Sequence, residues 1–170
     1  MKKRFTFFSY CILFSLTSYC QKSTTEFTNT QRTALQNFVS SHSQYYFIPE
    51  TEFDKSTLKA IRNEWGFGKN YKPYFNSNDF NKDGIRDFAV VLANSSDTAG
   101  DNTNAAVVVF NGLKNGSYKF AHIEKIELQS ELGLSFQDRK LNVLVFETDN
   151  INCFITSGKG YKVEPCGSND

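Results

Sequence analysis

The densest grouping of chemically able side chains in the chain is DFNKDGIRD, residues 79–87. Counting Asp79 as position 1, oxygen-bearing side chains fall at 1 (Asp79), 3 (Asn81), 5 (Asp83) and 9 (Asp87), with Gly84 at 6 and the Ile85 carbonyl at 7. Alternate oxygens around a turn that glycine permits are how a short loop wraps a hard cation, the backbone supplying one ligand. An all-oxygen set suits Ca2+ rather than a soft metal, which takes Cys or His. The competing reading is a metal-free turn, because Asn, Asp and Gly also favour tight turns in which side chains bond the local backbone. In that case three crowded carboxylates need compensation from elsewhere, with Lys82 and Arg86 the nearest cations.

The residues after the loop narrow the choice of calcium motif. An EF-hand requires a bidentate Glu at position 12, but position 12 is Val90, and the residues after Asp87 are apolar and β-branched. The stretch DFNKDGIRDFAVVL instead resembles the Asp-x-Asp/Asn-x-Asp-Gly-x-x-Asp loop and trailing strand of FG-GAP and VCBS-type repeats. That resemblance implies Ca2+ held by Asp79, Asn81, Asp83, the Ile85 carbonyl and Asp87. It covers only 14 to 30 residues and occurs once, so a propeller cannot close and the family's multi-blade ligand face does not carry over.

Other reactive types are sparse. His42 and His122 are the two near-neutral acid–base groups and neither sits in a catalytic motif. His42 fits the end of a helix and His122 the face of a strand. SGKG, residues 157–160, lacks the earlier Gly and the following Ser or Thr of a phosphate loop and reads as a hairpin turn. Cys153 and Cys166 flank that turn, and an even pair suits a disulfide in an oxidising compartment. Antiparallel counting about a Lys159-Gly160 loop sets 153 opposite 166, and such a bridge is worth about 3 kcal/mol. Two free buried thiols are the alternative; without a His pair, zinc is disfavoured.

The chain opens with Lys2, Lys3 and Arg4 and then mostly apolar residues from Phe5 to Tyr19. This is the pattern of an export signal, too short for a comfortable membrane span. Cleavage after Cys20 makes residues 1–20 the signal and 21–170 one domain; lipidation of Cys20, disfavoured by Tyr19 before it, and an uncleaved anchor are the alternatives. The whole chain has 19 basic and 18 acidic residues, and removing the three basic residues of the signal leaves a net charge of about −2. Nothing in that balance points to nucleic acid.

The elements that must position these residues follow from periodicity. Thr28 to Ser41 reads as a helix with a Thr28/Gln31 capping box, and Glu52 to Glu64 as a second with Phe53, Thr57, Leu58, Ile61 and Trp65 along one stripe. Strands are expected at 71–75, 87–93, 105–110, 118–123, 140–146, 152–156 and 161–163. DFAVVLA and AAVVVF are nearly all apolar and so belong in the sheet centre, covered on both faces. The expected fold is α+β: two N-terminal helices packed on one face of a mostly antiparallel sheet of five to seven strands.

Together these readings give an exported, periplasmic or extracellular, non-enzymatic domain with a structural Ca2+ loop and a protein or glycan partner. An inhibitor or immunity-type protein against a secreted enzyme, a metal-dependent hydrolase, and an outer-membrane lipoprotein are the alternatives. The aromatic runs YYF (45–47) and NYKPYF (70–75) are either a binding surface or core.

Overall fold

A computed structural model describes residues 27–95, 104–127, 131–146, 151–157 and 160–166. The expected signal segment and Cys20 lie outside these, as do residues 158 and 159 of the SGKG turn. Among the described residues no helix is long and apolar enough to cross a membrane.

Among the described residues there are two α-helices, α1 (Asn29–Ser41) and α2 (Lys55–Asn63), with a 3-10 turn at Glu50–Glu52 between them. The strands among the described residues are β1 (Tyr45–Phe47), β2 (Phe75–Asn76), β3 (Phe88–Asn94), β4 (Ala105–Gly112), β5 (Tyr118–Ile126), β6 (Leu132–Gln137), β7 (Lys140–Val145), β8 (Ile151–Ser157) and β9 (Gly160–Pro165). These form two antiparallel sheets, one ordered β1-β3-β4-β5 with β2 also on β3, the other β6-β7-β8-β9. The expectation of α+β with a single helix-covered sheet is therefore corrected: the fold is mostly β, in two sheets.

The physical reason lies in β3 and β4. Phe88, Val90 and Leu92 face one way with Ala106, Val108 and Phe110, and α1 covers them through Leu35 and Phe38. Ala89, Val91, Ala93, Ala105, Val107 and Val109 face the other way. A strand pair apolar on both faces needs two covers, and one helix layer supplies only one. The second is the β6–β9 sheet, which contributes Leu132, Leu134, Leu141, Val143 and Phe154, with Leu58 and Ile61 of α2 beside it. The two helices thus serve opposite faces rather than sharing one.

Local signals hold where they are chemical. The Thr28 hydroxyl accepts from Gln31 N at 3.2 Å and the Gln31 amide oxygen from Thr28 N at 2.9 Å, the reciprocal bonds of a capping box. The second helix starts later than expected because Asp54 caps it, accepting from Thr57 N at 2.7 Å and from the Ser56 hydroxyl at 2.6 Å. The Ser56 hydroxyl, then Thr57, hold the Asp54 carboxyl down to about 2. Pattern signals fail where strands are short or mixed. β1 and β6 lie outside the expected strands, and the expected 71–75 strand shrinks to Phe75–Asn76.

β1 and β2 lie end to end along the same edge of β3, Phe47 opposite Leu92 and Phe75 opposite Val90. In the terminal hairpin Cys153 pairs with Glu164, not 166, and the strands close at Ser157 opposite Gly160. Cys166 lies just past β9 and still bonds Cys153, with Cα atoms 5.3 Å apart.

The packing of β6 is tight at Gly133. A Cβ there would collide with the Tyr71 hydroxyl and stand 2.8 Å from Cε2 of Phe146. That hydroxyl is buried and has no hydrogen-bond partner among the described residues. Gly133→Ala is expected to lower stability by about 1–3 kcal/mol in urea unfolding, and adding Tyr71→Phe to recover part of it. A neutral Gly133→Ala would contradict this packing.

Candidate functional site

The loop between β2 and β3 is organised by carboxylates receiving backbone N–H groups. Asp79 accepts from Asp83 N at 3.1 Å and Gly84 N at 2.9 Å, Asn81 Oδ1 from Asp83 N at 2.9 Å, and Asp83 from Ile85 N at 2.8 Å. The Asn81 amide also donates to Asp83 Oδ2 at 3.0 Å. Because Asp79 and Asn81 both reach Asp83 N, the oxygens at positions 1 and 3 converge on the backbone of position 5. The turn they enclose needs left-handed backbone at Lys82 (φ 63°) and Gly84 (φ 84°), the conformation that glycine adopts without cost.

Asp87 behaves differently. It is fully buried, and its Oδ2 accepts from Phe80 N at 2.9 Å and Asn81 N at 3.2 Å, while Oδ1 accepts from Gly112 N at 2.8 Å. Burial pushes its carboxyl upward, with the three N–H groups opposing and the Asp83 charge adding. Its backbone is held as well, N donating to the Asn78 carbonyl and the carbonyl accepting from the Ser77 hydroxyl, both at 2.7 Å.

The compensation that the carboxylates need therefore comes from backbone N–H groups. Among the described residues neither Lys82 nor Arg86 forms an ion pair with them. Also among the described residues, no three His, Cys, Asp or Glu side chains stand together as a metal-binding group. Asp87 is turned inward to its N–H donors, and two of the five expected ligands, the Asn81 amide and the Ile85 carbonyl, are of neither carboxylate nor imidazole type. A carboxylate offers about four lone-pair sites and an amide oxygen two. These bonds use two on Asp79, two on Asp83, three on Asp87 and one on Asn81, so each of the four retains accepting capacity. The donor set thus fits a hard cation.

Three further residues meet the loop. Gly112 carries the N–H that Asp87 receives, and a Cβ on it would collide with the Arg86 carbonyl and sit 2.7 Å from Cγ2 of Ile85. Beside it, Asn111 accepts from the Tyr161 hydroxyl at 2.7 Å. Burial raises the Tyr161 phenol, and the charges of Asp87, Asp83 and Asp79 add to this, so β9 of the second sheet stands within the field of the loop. In the sequence Gly112 belongs to a polar stretch that suits a hairpin connector; no local pattern marks these long-range contacts.

The remaining candidates have structural places. His42 ends α1, with Nδ1 2.9 Å from the Phe38 carbonyl and its ring stacked on Phe38 at 4.2 Å. His122 lies on β5, 3.4 Å from Glu124 and 5.7 Å from the Phe154 ring. Of the aromatic runs, Tyr45, Tyr71 and Tyr74 are buried, Phe47 and Phe75 pack around Phe27, and Tyr46 alone among them is 54% exposed. They are mainly core.

No family model matches the chain, and no match is found among curated proteins or solved structures.

The asymmetry between Asp87 and its neighbours is testable. Asp87→Asn replaces an acceptor oxygen by a donor among N–H groups and is expected to lose about 2–4 kcal/mol in urea unfolding without added metal. Asp79→Asn, half-buried and keeping one acceptor, should lose about 1 kcal/mol. The reverse order would show that Asp87 is not the anchor.

Proposed function

We propose that this is an exported, non-enzymatic domain whose residue 79–87 loop is a structural calcium site and whose surface binds another macromolecule. The observation that carries the reading is the convergence of the Asp79 and Asn81 oxygens on Asp83 N, with the Asp83 carboxylate bonding Ile85 N one step on and accepting capacity left on all three, at the start of a buried central strand. Asp79, Asn81, Asp83, the Ile85 carbonyl and Asp87 are the residues that would hold the ion. The ion would neutralise carboxylates that the fold otherwise balances with N–H dipoles alone. The sequence resemblance to FG-GAP-type loops supports the same assignment.

Export is supported by the basic and apolar N-terminus and by the Cys153–Cys166 disulfide. A binding role fits the placement of both His residues, each engaged with neighbouring structural groups, at the end of α1 and on β5. At extracellular modules of this kind the dissociation constant is roughly 10⁻⁴ to 10⁻³ M, which makes the ion a stapling element rather than a signal.

Ca2+ at ten times its dissociation constant should stabilise the domain by about 1.4 kcal/mol over EDTA, raising Tm by roughly 4 °C. Asp83→Ala should abolish the shift. A melting scan in which Ca2+ has no effect, or moves the variant as far as the parent, removes the calcium site.

A further inference from the structure

A groove of about 460 Å³ lies along α2, lined by Lys55, Lys59, Arg62, Asn63 and Lys69 with Glu50, and with the buried Leu58 among its walls. Helical spacing puts 55, 59 and 62 in one stripe, the first two about 6 Å apart along the axis. Arg62 is fixed in place: Nε and Nη2 donate to the Tyr71 carbonyl at 3.0 and 2.7 Å, and Nη2 also meets Glu50 at 2.7 Å. Its Nη1 has no partner among the described residues. Lys55, Lys59 and Lys69 are exposed and form no hydrogen bond or ion pair among the described residues. Asp54, the nearest acid at the head of the helix, is engaged in capping it.

We infer that this groove is a docking site for an extended acidic peptide segment bearing carboxylates on alternate residues. Four cations against one acid set the sign of the ligand. An extended chain places alternate side chains on one side about 6.6 Å apart, close to the rise between Lys55 and Lys59. A guanidinium already ordered by a carbonyl and a carboxylate spends little entropy in accepting another oxygen. Glu50 at the rim and apolar Leu58 among the walls suit spaced carboxylates better than a dense phosphate chain. The inference adds a partner chemistry to the binding role of the proposed function, on which it rests, and does not depend on calcium in the loop. Peptide binding without a calcium response, or the converse, tells the failure of one reading from the failure of the other.

The test is fluorescence anisotropy of the purified protein with a labelled octapeptide of alternating Glu and Thr, its Gln counterpart, and an oligonucleotide of equal charge. Saturable binding of the Glu peptide alone is expected, weakening with salt as exposed charges are screened. Lys55→Gln with Lys59→Gln should weaken it about tenfold, the scale of two partly exposed ion pairs. Lys119→Gln with Lys125→Gln on β5 should leave it unchanged. All are surface substitutions whose folding is checked by Tm. Equal binding of the Gln peptide, tighter binding of the oligonucleotide, or equal loss in the β5 pair overturns the inference.

Discussion

Asp87 is a buried carboxylate that pairs with no Lys, Arg or His side chain among the described residues, and much of the architecture depends on how it is accommodated. Its two oxygens collect one N–H from β4 and two from its own loop. Such a charge is tolerable only when its lone pairs are met. The arrangement also answers a question that the central strands raise. β3 and β4 are apolar along most of their length, so no alternation of polar and apolar residues marks which register is correct. The bond from Gly112 N to Asp87 Oδ1, at one end of the pair, supplies that mark. From it, Phe88 falls opposite Phe110 and Val91 opposite Val107.

Register matters here even though both faces are greasy, because the faces differ in size. Toward α1 the pair presents Phe88, Val90, Leu92, Val108 and Phe110, with the Phe88 and Phe110 rings stacked at 4.5 Å. Toward the second sheet it presents Ala89, Ala93 and Ala105 with three valines. A helix layer meets bulky side chains, while the other cover brings its bulk in Phe53, Tyr71, Tyr74 and Phe146, residues that flank α2, β2 and β7. A slip of one residue would exchange large for small on both sides and leave voids on one and clashes on the other.

Legibility in the sequence follows the range of the interaction. The Thr28/Gln31 cap, the glycine turn at Gly84 and the two buried strands are set by neighbours within a few residues, and all are readable. The alternation in Leu141, Val143 and Val145 reveals a strand but not that it belongs to a different sheet from AAVVVF. Sheet membership depends on which hairpin the chain closes next, and β6, with Gly133 and Ser135 among its leucines, lacks the β-branched content that announces a strand. At the loop, the acidic spacing is visible, yet the roles are not. Nothing local separates Asp87, which faces inward to Gly112, from Asp83, which remains exposed.

The paired arrangement of β1 and β2 along one edge of β3 has a consequence for the chain in company. FAVVLA is the kind of uncharged, β-branched segment that recruits identical segments into stacked fibrils. Its outer backbone is taken up piecemeal, by Phe47 opposite Leu92 at one end, Phe75 opposite Val90 at the other, and the Tyr74 carbonyl on Val91 N between them. Two short strands from distant parts of the chain leave no long free border for another molecule to copy. Until residues 45 and 75 have both arrived, that border is open, so the newly made chain carries its hazard early and loses it on folding.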